Sequence, residues 1–222
     1  MGTWSARRLA GLGAFAVVVL WVVGFFLAGK PPKFAAEPIK VAAYFHDHHK
    51  QTLIASVMVA IGIAIYIAVL AQLRVELRGA GQRTFASIVG LAASSSAAVF
   101  AIGDALYGTM GQAAAFPGGD PGLLRALYQL DQFADVPMYW LVLVVVVSVS
   151  ISSTRDAYPR WTLWPNALFG ILIVLGGISV KADGVFAAGT GLFASLAFIA
   201  ALAFLLEIGL VLWSAKDRQI TA

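Results

Sequence analysis

All three histidines of the chain fall in one stretch, Phe45-His46-Asp47-His48-His49-Lys50, and two acids, Asp104 and Glu207, interrupt otherwise apolar runs. Imidazole nitrogens and carboxylate oxygens are the usual ligands of borderline divalent metals. On a helix, positions three apart share a face. His46 and His49 with Asp104 therefore form a candidate transition-metal set, with Asp131 as a further carboxylate. The competing reading is a polar helix start at a membrane surface, with Asp47 as its N-cap. A carboxylate in hydrocarbon costs about 3 kcal/mol or more, so an acid inside a span is a functional candidate by default. Asp104 and Glu207 lie toward opposite ends of their runs and do not form one site. Glu207 is placed to pair with Arg74 or Arg78.

Several chemistries drop out. The chain has no cysteine, which removes disulfides, thiol redox chemistry and cysteine metal sites. A haem held between two histidines at opposite ends of spans needs a histidine elsewhere, and there is none. A retinal pigment needs a lysine deep in a late span, whereas Lys181 stands at a loop edge. No P-loop, HExxH, GxSxG or dinucleotide-binding fingerprint occurs.

The elements that must position these residues are set by composition. Hydrophobic residues make up 60% of the 222 and charged residues 12%, about half the charge of an ordinary soluble domain. Mean hydropathy is +0.87 and the pI about 9.5. Lipid is the expected solvent, and no basic cluster interleaved with aromatics points to nucleic acid. A run of about 20 apolar residues crosses a bilayer as a helix, because only internal hydrogen bonds satisfy its backbone.

Six runs qualify: 9–28, 53–73, 84–104, 136–153, 163–180 and 185–213. The first, behind Arg7 and Arg8, reads as a retained span, with a cleaved leader as the alternative. Between the third and fourth, Asp120 has the look of an N-cap with Pro121 at the first helical position. Leu123, Leu124, Leu127 and Leu130 follow at helical spacing, which predicts a short amphipathic helix. The last two runs, joined by Lys181-Ala182-Asp183-Gly184, read as a tight helical hairpin. The expectation is thus an all-α, polytopic transmembrane bundle of about six spans forming a single domain over 1–222.

Placing the N-terminus inside puts nine of the fifteen Lys and Arg residues on that side. The positive-inside rule then favours both termini in the cytoplasm and a plasma-membrane location. Trp140, Trp161, Trp164 and Trp213 fall near span ends, where interfacial anchors belong. In the third run, Ala92-Ala93-Ser94-Ser95-Ser96-Ala97-Ala98 supplies small residues for close helix packing, and Gly191 with Ser195 repeats that spacing. A polar lining for a small-molecule path is the alternative. No internal repeat of the inverted-transporter kind is visible.

Tyr44-Phe45 with His48-His49, Gln72-Leu73-Arg74 with Leu77-Arg78, and Tyr158-Pro159-Arg160-Trp161 resemble patches at equivalent places in an uncharacterised actinobacterial group of multi-pass membrane proteins. The likeness extends in layout over 43–213. It implies topology and carries no activity.

The functional expectation is a non-catalytic integral membrane protein without a cofactor, either an accessory subunit with protein partners in the lipid bilayer or a binder of lipid-like molecules. Two rivals stand beside it. One is a membrane enzyme with a metal at His46, His49 and Asp104 on the outer face. The other is a small carrier or channel using Asp104.

Overall fold

The computed structural model describes residues 5–114, 119–156, 158–181 and 183–214. Among them are seven α-helices: α1 (Ala6–Ala28), α2 (Pro38–Asp47), α3 (His49–Gly79), α4 (Arg83–Ala114), α5 (Pro121–Thr154), α6 (Leu163–Gly177) and α7 (Leu192–Ser214). No strand occurs among the described residues, only an isolated bridge between Lys181 and Ala187. The six helices other than α2 form the bundle. They stand in a ring, α1 beside α3, then α4, α5, α6 and α7, and α7 returns to α1. One end of the ring carries Ser5 and Ser214, and is called here the terminal end. The other carries α2, and is called the α2 end.

Five helices, α1, α3, α4, α5 and α7, are long and apolar enough to cross a membrane. Their outward faces fit that solvent: Leu91 is 72% exposed, Phe26 76% and Val57 60%. The sixth expected span, 163–180, is the 15-residue α6, about 22 Å long at 1.5 Å per residue. Gly176 and Gly177 end it for a packing reason. A Cβ on Gly176 would strike Ala197 of α7, and one on Gly177 would lie 2.9 Å from the Trp140 ring of α5. Trp140 donates its indole N–H to the Gly177 carbonyl at 3.1 Å.

The other boundaries also shift. The amphipathic segment after Asp120 is present, but as the opening of α5 and not as a separate helix. Asp120 caps it, accepting from the Gly122 N–H at 2.8 Å. The helix then runs on through Pro137 for 34 residues. Pro137 removes a single backbone donor, and a helix in a bundle tolerates that loss. The expected tight hairpin between α6 and α7 is instead an irregular connection, in which Gly184 and Gly189 take positive φ of 74° and 60°. The Lys181 N–H donates to the Phe186 carbonyl across it, and α7 begins only at Leu192.

Two cores result. The larger fills the ring and includes Val17, Trp21, Tyr66, Leu70, Val145, Phe204 and Ile208. Trp21 sits in a notch left by Gly62, with its ring 5.8 Å from Tyr66 and 4.8 Å from Phe100. The smaller core forms because α3, α4 and α5 run to about 46–51 Å, well beyond a hydrocarbon layer of about 30 Å. There α2 lays Val41, Tyr44 and Phe45 against Met110, Leu124 and Tyr128.

The ring closes where α1 and α7 touch backbone to backbone. A Cβ on Gly11 would lie 3.0 Å from both the Gly209 carbonyl oxygen and the Trp213 amide nitrogen. Gly11→Leu should therefore prise α1 from α7 and lower stability by about 1–3 kcal/mol, the usual range for overpacking. Thermal or denaturant unfolding in detergent reads this, and Gly79→Leu, where a Cβ meets nothing, is the control.

Candidate functional site

At the α2 end, the histidines do not form the face expected of them. Helix α2 stops at Asp47 and α3 starts at His49, with His48 as the residue between. His46 and His49 therefore belong to different helices, and Asp47 does not cap α3, whose N-cap is His48. Each imidazole instead bonds a backbone carbonyl through Nδ1: His46 to Ala114 at 3.2 Å, His48 to Tyr44 at 2.9 Å and His49 to His46 at 3.0 Å. Because a carbonyl only accepts, Nδ1 carries the proton in each. Among the described residues, no three His, Asp or Glu side chains are gathered closely enough to hold a metal ion.

Asp104 faces α3 and α5 rather than the histidines. Ser56 Oγ donates to its backbone carbonyl at 3.3 Å. Its acidic neighbour is Asp131, for which the bare Cα of Gly103 leaves room: a Cβ there would lie 3.4 Å from Asp131 Oδ1. Asp131 accepts from Gln132 at 3.0 Å, and Asp135 follows one turn on.

A belt of phenols closes this end. Tyr44 donates to the Ala28 carbonyl at 2.6 Å and lies 3.2 Å from the Tyr107 hydroxyl. Tyr128 donates to the Pro32 carbonyl at 2.6 Å, and Gln129 reaches the Phe34 carbonyl. Burial pushes the Tyr44 phenol above its usual range, with the Tyr107 hydrogen bond opposing, so it stays a donor at neutral pH. These bonds fasten the segment between α1 and α2 onto α5.

The terminal end has the opposite character. Glu207 is 4% exposed and Asn166 is 1% exposed, and neither has a hydrogen-bond partner on its two side-chain polar atoms. The Tyr158 hydroxyl and Arg7 Nε are likewise buried and unpartnered. These atoms come from α1, the segment before α6, α6 itself and α7. The Asn166 amide lies against the Glu207 carboxylate. Tyr158 feels both Glu207 and Arg7: burial and then the Glu207 charge push its phenol well above the usual range, and Arg7 opposes them. Arg7 spends its Nη1 on Glu76 at 3.4 Å. Glu207 therefore meets neither Arg74 nor Arg78, the partners expected for it. Those two are exposed at the end of α3.

Asn166 also belongs to a second feature. Between α5 and α6 runs an apolar groove of about 670 Å³, lined by Leu143, Val147, Ile151, Leu163, Gly170 and Asn166 among others. Its rims, Val147 at 46% and Ile171 at 61% exposure, open it to the surroundings of the bundle. Along the groove α6 presents Gly170 to α5, where a Cβ would reach only Leu143 at 3.6 Å.

The serine run of α4 contributes packing. Ser96 is fully buried and bonds the Tyr66 hydroxyl at 3.0 Å and the Ala93 carbonyl at 3.0 Å. Ser94 turns outward and bonds Gly90 within its own helix.

Sequence reasoning singled out Asp104, Asp131 and Glu207 but passed over Arg7, Tyr158 and Asn166. Asn166 had a signal: it is the only asparagine in the chain, and it stands in an apolar run. No family model, curated sequence or solved structure matches the chain.

The phenol belt makes a direct prediction. Tyr128→Phe deletes the bond to Pro32 and leaves a carbonyl unpaired, which should cost about 1 kcal/mol. Hydrogen exchange should quicken in residues 30–37, while α7 keeps its protection.

Proposed function

We propose that this protein is an integral membrane protein that binds a lipid-like molecule, with the apolar chain lying in the groove between α5 and α6. The observation that carries the reading is the groove itself. Ligand sites usually enclose roughly 300–1,000 Å³, are mostly apolar, and hold a few placed polar groups. A groove of about 670 Å³ with one amide, Asn166, among aliphatic side chains has that make-up. It opens sideways, where an acyl chain arrives from the bilayer and not from water.

The role is binding rather than catalysis. A nucleophile needs a general base within hydrogen-bond reach, and the serines beside this groove are spent on their own helix: Ser150 bonds Val146 and Ser152 bonds Ser148. The arginine-rich terminal end is taken as cytoplasmic, on the excess of Lys and Arg there. That puts the Asn166 end of the groove near the inner leaflet and α2 on the outer side.

Filling the groove tests the reading. Gly170→Trp should displace the bound chain, so that native mass spectrometry of protein released from lipid nanodiscs finds the adduct reduced at least about fivefold, or about 1 kcal/mol. Gly79→Trp, at an open position, should leave it unchanged. Equal retention in both variants would sink the reading.

A further inference from the structure

We infer that the buried polar pocket beside the groove, formed by Glu207, Asn166, Tyr158 and Arg7, receives a zwitterionic phospholipid head group that pairs a primary ammonium with a phosphate. The inference rests on the groove reading and names the chemical class of its ligand.

Buried polar atoms in folded proteins find partners almost without exception, and each one left bare costs about 1–3 kcal/mol. Here both oxygens of Glu207, both polar atoms of Asn166, the Tyr158 hydroxyl and Arg7 Nε are bare together. They converge from four separate parts of the chain, and Glu207, Asn166 and Tyr158 are each more than nine-tenths buried. The donor and acceptor inventory then defines the occupant. An ionised Glu207 accepts only, and Asn166 Oδ1 accepts. Among the described residues no cation pairs with Glu207, because Arg7, the basic group nearest Tyr158, is held by Glu76. A primary ammonium brings three N–H donors and the missing positive charge.

Arg7 Nε is a donor without an acceptor, and a phosphate adjoining the ammonium supplies one, while the Asn166 amide stays against Glu207. Tyr158 stands between the Glu207 and Arg7 charges, and its hydroxyl can serve either half. A quaternary choline head group has the charge but no N–H to donate, and a glycerol head group has hydroxyls but no cation. Asn166 also lines the groove, so one molecule can set its chain among Leu143, Val147 and Ile151 with its head turned toward Glu207.

The test uses the full chain in nanodiscs holding equal parts of phosphatidylethanolamine, phosphatidylcholine and phosphatidylglycerol, with adducts weighed by native mass spectrometry. Phosphatidylethanolamine should be retained over phosphatidylcholine about tenfold, the worth of one charge-assisted hydrogen bond. Glu207→Gln keeps the shape and should bring the ratio to near one without lowering total lipid. Tyr158→Phe should lower the ratio by a smaller factor, and serves if the first variant fails to fold. No head-group preference, or a preference that survives Glu207→Gln, overturns the inference and leaves the pocket to water and a proton. Retention of soluble phosphoethanolamine with no lipid adduct overturns it too. Loss of every lipid in Gly170→Trp supports the groove. A Glu207-dependent preference that persists in Gly170→Trp would instead refute the groove while keeping the head-group pocket.

Discussion

The contact of α1 with α7 is the joint on which the bundle depends. Every other neighbour pair in the ring joins long helices that follow one another along the chain, so connections of limited length already hold them close. Only this pair brings the two ends of the chain together. It must offset the loop-closure entropy of nearly the whole sequence by packing alone. Glycine on both sides lets the backbones meet, as small residues do where helices associate in lipid without a hydrophobic drive. The same joint carries Arg7 to the neighbourhood of Tyr158 and Glu207. The polar pocket is therefore a product of ring closure, and no single hairpin of the chain contains it.

Much of the fold was legible because hydrocarbon is a severe solvent. A long run without charge has one solution in lipid, a helix, and five such helices stand where the hydropathy put them. The Asp120 cap was legible for an equally local reason, since Asp-Pro before an amphipathic run fixes a helix start. What escaped depended on tertiary contact. Nothing local told whether the helix begun at Asp120 would stop before Pro137 or run through it. The gap between α6 and α7 looked like a tight hairpin because Val185 and Phe186 continue the apolar pattern, but positive φ at Gly184 and Gly189 turns them into a loop. The candidate site was legible in its acids and not in its arrangement. Glu207 stood out as a charge in an apolar run. Its neighbours did not, because Arg7 and Tyr158 lie at least 49 positions from it in the chain. His46 and His49 had the right spacing for a shared face, and a helix boundary falls between them.

The two ends of the bundle treat polarity in opposite ways. At the α2 end, phenols, imidazoles and an amide bond carbonyls at helix ends and in the segment after α1, and so carry part of the cost of burying that segment against helices. That network is structural: it binds the segment after α1 to α5. At the terminal end, the buried polar atoms face one another without completing bonds. A partly satisfied network is a poor core element, and this one shares Asn166 with a groove open to the surroundings of the bundle.

The shortness of α6 bears on the lipid around the bundle. Its neighbours α5 and α7 offer a bilayer the full height of a hydrocarbon layer, while α6 offers about three-quarters of one. A membrane wrapped around this bundle therefore meets uneven hydrophobic thickness. On the α6 side it has to thin, or Trp161 and Trp164, both exposed at the start of that helix, have to draw the interface inward. Mismatch of this kind sorts proteins by bilayer thickness. The face that carries the groove is then also the face along which the surrounding lipids are compressed and tilted toward it.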